Sequence, residues 1–128
     1  MITMHKNKQT NYKGLKRFLY AVKYSLDGIG ATFKTEAAFR CEVIIMAISI
    51  TLALFVPLPF IFKAFLIVSS IGVLLAELVN SAIETIVDVI FEDFHPLAKR
   101  AKDMGSAAVM LSIINLIVAW LFAGLQLF

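Results

Sequence analysis

The chain has 128 residues, 60% of them hydrophobic and 16% charged, with a mean hydropathy of +0.87. Soluble domains are normally about 45–50% apolar, and a small water-soluble core could not absorb this excess, so the composition points to one integral membrane domain. The net charge of +3 says little alone, and the single Cys41 excludes an internal disulfide.

Residues 1–11 are polar and are expected to form a disordered N-terminus, with one membrane-embedded domain over 12–128. From Tyr12, apolar residues fall at Leu15, Phe18, Leu19, Val22 and Leu26, the stripe of an amphipathic helix over 12–27. Lys13, Lys16, Arg17 and Lys23 occupy its other faces, so this helix is expected on the bilayer surface, with no nucleic-acid partner. Gly28 and Gly30 are expected to break it. The basic, amphipathic first forty residues do not read as a cleavable signal peptide.

Three spans follow, at about 36–58, 64–91 and 104–126. The first needs Pro57–Phe62 as well as Val43–Val56 to cross ~30 Å of hydrocarbon. Its prolines therefore belong near the far surface, where Lys63 marks the turn. Residues 91–105 read as the one sizeable internal loop, with Pro96 suited to the first turn of a helix. A cytoplasmic N-terminus puts eleven of the twelve Lys and Arg inside, which is the orientation such clustering sets.

Within the second span, AELVNSAIETIVD carries Glu77, Asn80, Glu84 and Asp88. At 100° per residue these lie within an arc of about 80°, with Ser81 at its edge. Glu84 falls about 10 Å below Glu77, near the inner interface. A charge at the centre of a span costs about 2.5–3.5 kcal/mol even on a lenient scale. A helix–helix hydrogen-bond stripe is the plain alternative, but small or hydroxyl residues make such contacts more cheaply. This stripe also runs on towards the water-facing HPLAKRAKD. Arg40 and Glu42 read as interfacial charges without chemistry, and Cys41 as a small interfacial side chain.

A carboxylate just inside the membrane and another at its surface suit phosphoryl transfer to a lipid hydroxyl. That reaction needs a bridging divalent metal, a cation and a group that deprotonates the nucleophile. Glu36 and Glu84, at the inner ends of two spans, could supply carboxylates for Mg²⁺, and Lys102 the cation. No GxxxxGK[ST] loop is present, so an ordinary P-loop is excluded.

The stretch AELVNSAIETIVD, with TEAAFRCE upstream and RAKDMGSAAV downstream, resembles prokaryotic diacylglycerol kinases over roughly residues 12–125. The resemblance implies an all-α homotrimer in the bacterial inner membrane. Each subunit would supply a surface helix and three spans, with sites shared on the cytoplasmic side. It implies transfer of the ATP γ-phosphate to diacylglycerol, giving phosphatidic acid in phospholipid recycling. Glu77 would be the general base, supported by Asn80, while Glu36 and Glu84 would bind the divalent metal. Arg17, Tyr24, Asp93, Phe94, His95, Lys102 and Asp103 would face the nucleotide. Arg17, Glu77, Ser106 and Trp120 would meet the lipid substrate.

The wording HPLAK, with Lys99 where the diacylglycerol enzymes of Gram-negative bacteria carry glycine, is closer to the related undecaprenol kinases of Gram-positive bacteria. TEAAFR and KDMGSAAV favour the diacylglycerol branch. An ion pathway would need a polar route across the membrane, yet the stretch 64–75 offers only Ser69 and Ser70, and the middle of the third span only Ser112 and Asn115.

Overall fold

The computed structural model describes residues 13–128, so the expected disordered segment 1–11 lies outside the described residues. Four α-helices succeed one another: α1 Leu15–Thr35, α2 Ala37–Phe55, α3 Phe60–Ile90 and α4 Pro96–Gly124. A short 3-10 turn, Leu125–Leu127, ends the chain. The chain divides into two units, one ending at Ala31 and one comprising Thr32–Phe128.

In the first unit, Gly14 takes φ +64°, a conformation a glycine adopts without steric cost, just before α1. The helix carries Leu15, Phe18, Leu19, Val22 and Leu26 outward, and none of its residues is buried. It does not stop at Gly28 and Gly30. Two glycines cost about 2 kcal/mol in a helix interior, a penalty that flanking residues can outweigh.

In the second unit, α2 and α4 both pack against α3. All three helices are long and apolar enough to cross a membrane. At 1.5 Å per residue, the 19 residues of α2 span about 28 Å, while the 31 of α3 and 29 of α4 reach about 46 and 44 Å. Hydrocarbon takes up about 30 Å. The surplus turns of α3 and α4 are those that carry Glu84, Asp88, Lys99 and Lys102. Large apolar side chains such as Ile44, Ile48, Phe65, Val68, Leu111 and Ile117 face outward, as helices surrounded by lipid or further helices require.

The α2–α3 turn is tight. The Leu58 N–H bonds to the Val56 carbonyl at 2.8 Å, and the Phe62 and Lys63 N–H groups bond back to Pro59. Helix α3 thus begins at Phe60, and Lys63 lies in its first turn, where Nζ donates to the Leu54 carbonyl at 2.8 Å. Nearby, Ala53, Leu58, Leu66, Ala119 and Ala123 form an apolar cluster flanked by Val56, Phe62 and Trp120.

Polar ties succeed this cluster in the middle of the bundle. Ser49 of α2 and Ser70 of α3 share a hydrogen bond of 2.9 Å, and Trp120 Nε1 of α4 donates to the same Ser49 oxygen at 2.9 Å. Asn115 Nδ2 donates to Ser69 Oγ at 3.2 Å. Seven residues further along each helix, Glu42 of α2 and Glu77 of α3 are close enough for their charges to interact. The serine pair and the glutamate pair therefore obey one antiparallel register, which brings the carboxylates together about 10 Å from the serines.

Candidate functional site

The polar end of the bundle is built on α3. Its buried face includes Ser69, Ser70, Val73, Glu77, Asn80 and Ser81, so the stripe that begins as hydroxyls at mid-helix becomes a carboxylate and an amide two turns on. Glu77 is 5% exposed and Asn80 8%, whereas Glu84 is half-buried and Asp88 exposed. The stripe thus grades from sequestered to solvated along a single face.

Glu77 lies within electrostatic range of Glu84 and Glu36 as well as Glu42. Helical periodicity explains Glu84, and chain connectivity does not explain the other two. Glu36 occupies the N-cap position of α2, where its side chain makes no capping hydrogen bond, leaving its carboxylate uncommitted to the helix it precedes. Asn80 Nδ2 donates to Glu84 Oε1 at 3.1 Å, a bond between adjacent turns that fixes one oxygen of that carboxylate.

Glu42 was legible only as an interfacial charge, yet it is buried, with Oε2 making no hydrogen bond among the described residues. Arg40 is not its partner. Arg40 Nη1 instead donates to the Phe33 and Lys34 carbonyls at 2.9 and 3.1 Å, covering the acceptors at the end of α1. A signal for Glu42 did exist: Phe39, Glu42, Ser49 and Ala53 share the buried face of α2, so its one acid lies on the same stripe as its serine.

The connection between α3 and α4 is only Phe91–His95, far shorter than the expected loop, because α4 starts at Pro96. His95 caps it: Nδ1 accepts the Leu97 N–H at 3.2 Å, and Pro96 fills the first turn. The imidazole also lies against Phe91, ring centroids 4.8 Å apart. The early start of α4 turns HPLAKRAKD into a helix that displays Lys99, Lys102 and Asp103 beside the end of α3.

A cleft of about 310 Å³ results, lined by Asp88, Asp93, Phe94, His95, Lys102 and Asp103 among others. Five residues expected to face a nucleotide therefore share one concave surface. Within it Lys102 pairs with Asp88 at 2.9 Å and Lys99 with Asp103 at 2.5 Å. Both pairs are substantially exposed, the kind of ion pair that a ligand's charge can replace at small cost.

The remaining expected residues lie elsewhere. Ser106 is exposed on α4, less than one turn beyond Asp103, and Trp120 is half-buried further along the same helix. Trp120 lines an apolar groove of about 500 Å³ with Ile45, Ile48, Leu52 and Leu116. Arg17 and Tyr24 are exposed on α1, in the unit that ends at Ala31. The carboxylates and the cleft belong wholly to Thr32–Phe128.

The donor set suits a hard divalent cation, for which carboxylate oxygens are the natural ligands. Among the described residues no group of three or more His, Cys, Asp or Glu could hold a metal ion. Glu36 and Glu84 each lie within electrostatic range of Glu77, and one or two carboxylates are what Mg²⁺ commonly takes from a protein when phosphate oxygens and water complete its shell.

Comparison with known proteins places the chain in a family. The family model described as prokaryotic diacylglycerol kinase matches residues 23–123. A diacylglycerol kinase of Escherichia coli strain K12 is 40% identical over 110 residues, covering 86% of this chain and 90% of the relative. That of Pseudomonas aeruginosa is 43% identical over 107 residues, covering 84% and 87%. One from Helicobacter pylori strain 26695 is 41% identical over 108 residues, covering 84% of each.

Proposed function

The chain belongs to the prokaryotic diacylglycerol kinase family, and on that premise we propose that it is a lipid kinase transferring the γ-phosphate of ATP to the hydroxyl of diacylglycerol. The product is phosphatidic acid, and the role is phospholipid recycling. The observation that carries the reading is the continuity of one face of α3. It runs from a buried carboxylate, Glu77, through Asn80 and Glu84 to the cleft holding Lys102. A lipid hydroxyl can approach from the membrane and a nucleotide from water, and the two meet along that face.

In this reading Glu77 accepts the hydroxyl proton as the lipid oxygen attacks the γ-phosphorus. The new P–O bond forms as the bond from the γ-phosphorus to the β-phosphate bridging oxygen breaks, and ADP leaves. Glu36 and Glu84 would hold a divalent cation, which would supply neutralisation of the phosphate charge. Asn80 orients Glu84, and Lys102 donates to the phosphates in place of Asp88. Asp93, Phe94, His95 and Asp103 line the nucleotide's cleft. The resemblance to the family assigns Arg17 and Tyr24 to the nucleotide, and Arg17, Ser106 and Trp120 to the lipid.

The functional unit is a homotrimer in the bacterial inner membrane, with the N-terminus and sites on the cytoplasmic side and α1 on the bilayer surface. The outward apolar faces of α2–α4 support helix partners or lipid around each chain. The clustering of Lys and Arg before α2 and at the start of α4 supports the orientation.

The test is a competition in mixed micelles, with labelled ATP, Mg²⁺ and equal amounts of diacylglycerol and undecaprenol. Label in phosphatidic acid is expected. Label mainly in undecaprenyl phosphate would overturn the substrate, and no labelled lipid from folded protein would overturn the kinase reading.

A further inference from the structure

Asn80 and Gly105 face one another where α4 crosses α3. Asn80 is nine-tenths buried, and its Nδ2 donates to Glu84 Oε1 at 3.1 Å. A carboxylate only accepts, so this bond fixes which way the amide points. Asn80 Oδ1 is turned the other way, buried and without a hydrogen bond among the described residues.

That oxygen lies over Gly105. A Cβ at position 105 would collide with Asn80 Oδ1, and would come within 3.3 Å of Asn80 Cγ and 3.6 Å of Ile83 Cδ1. At Gly72 and Gly124, in the same three-helix unit, an added Cβ meets nothing within 4 Å. Glycine is a poor helix former beside alanine, so α4 gains nothing from it locally. What position 105 provides is room for one particular amide.

We propose that Gly105 is a positioning residue of the phosphoryl-transfer site, whose missing side chain keeps the Asn80 amide on Glu84 and so sets the affinity for the metal–nucleotide complex. This rests on the reading of Glu84 as a metal-binding carboxylate. The obstructed atom is the end of a flexible side chain, so a methyl group at 105 can be accommodated by swinging Asn80 aside without parting the helices. Swinging it aside breaks the bond to Glu84. Substitution therefore damages metal binding more than folding.

The test uses the full chain in micelles, with Mn²⁺ binding followed by electron paramagnetic resonance in the presence of a non-hydrolysable ATP analogue. Gly105→Ala is expected to weaken Mn²⁺ binding about tenfold, the scale of one lost hydrogen bond to a charged group. The KM for metal–ATP should rise more than kcat falls, with the unfolding midpoint close to that of a Gly124→Ala control. Asn80→Ala should show a similar loss, and adding Gly105→Ala to it should cost nothing further. Wild-type Mn²⁺ affinity in Gly105→Ala would overturn the proposal, as would a loss that adds in full to that of Asn80→Ala. Should Gly105→Ala fail to assemble, Asn80→Ala in the same chain must restore assembly, and failure to do so would show that the clash lies elsewhere. If Glu84→Gln leaves Mn²⁺ binding unchanged, the metal assignment falls and takes the proposal with it. If Glu84→Gln weakens binding and Gly105→Ala does not, only the role of Gly105 falls.

Discussion

Lys102 Nζ of α4 donates to Asp88 Oδ1 of α3 at 2.9 Å, one turn of α3 beyond Glu84. The ammonium is thus held at the edge of the cleft by a partner that a phosphate can replace. Lys102→Met is expected to lower kcat/KM for ATP about tenfold, the effect of losing one charged donor. Asp88→Asn, which removes only the resting partner, should change it by less than about threefold. Steady-state kinetics with ATP varied at saturating lipid check both, and equal losses in the two variants would make the pair itself the functional unit.

Glu84 carries a different expectation, because Gln at 84 still accepts the Asn80 hydrogen bond through its amide oxygen. Glu84→Gln therefore removes charge while keeping geometry. The Mg²⁺ concentration for half-maximal activity should rise on the order of 10- to 100-fold, at least the cost seen when a metal's outer partners are lost. A metal titration at fixed ATP measures this.

Glu42 is a buried acid beside a second acid, with one oxygen unpaired among the described residues. Such an arrangement does not favour folding, since burying charge without a partner is costly. Glu42→Gln should leave the chain at least as stable in a thermal unfolding assay, while slowing phosphoryl transfer about tenfold by altering the surroundings of Glu77. Lower stability with unchanged turnover would assign Glu42 a packing role only.

How much of this was legible in the sequence depends on the range over which each feature is decided. The three apolar helices and the face holding Glu77, Asn80, Glu84 and Asp88 follow from composition and the 3.6-residue period, which are local. Gly28 and Gly30 were misleading because helix propensity is a weak force beside its context. The connection before α4 is shorter than the loop expected over 91–105, because the helix start that Pro96 suits is taken there and His95 caps it. The meeting of Glu42 with Glu77, of Arg40 with the end of α1, and of Gly105 with Asn80 depends on register or packing between separate elements. No periodicity within one helix encodes that.

The serine layer gives a stability test. Ser49 accepts the Trp120 indole N–H and shares a bond with Ser70, so one hydroxyl ties three helices. Ser49→Ala should destabilise the protein by about 0.6–1.7 kcal/mol, from the average to the maximum measured for such bonds in membranes. Because Trp120 is the only tryptophan, its emission should shift in the same variant. Ser49→Thr, which keeps the hydroxyl, should preserve both signals.

In the proposed mechanism Glu77 takes the proton from a lipid hydroxyl while the nucleotide is held elsewhere on the same face. The direct measurement is single-turnover transfer of labelled γ-phosphate to diacylglycerol by Glu77→Gln, with nucleotide binding measured on the same sample. Transfer is expected to fall by about 10²–10⁴-fold, the usual contribution of a general base, with nucleotide affinity within a few-fold of wild type. Near-normal transfer, or nucleotide binding lost together with transfer, would contradict it.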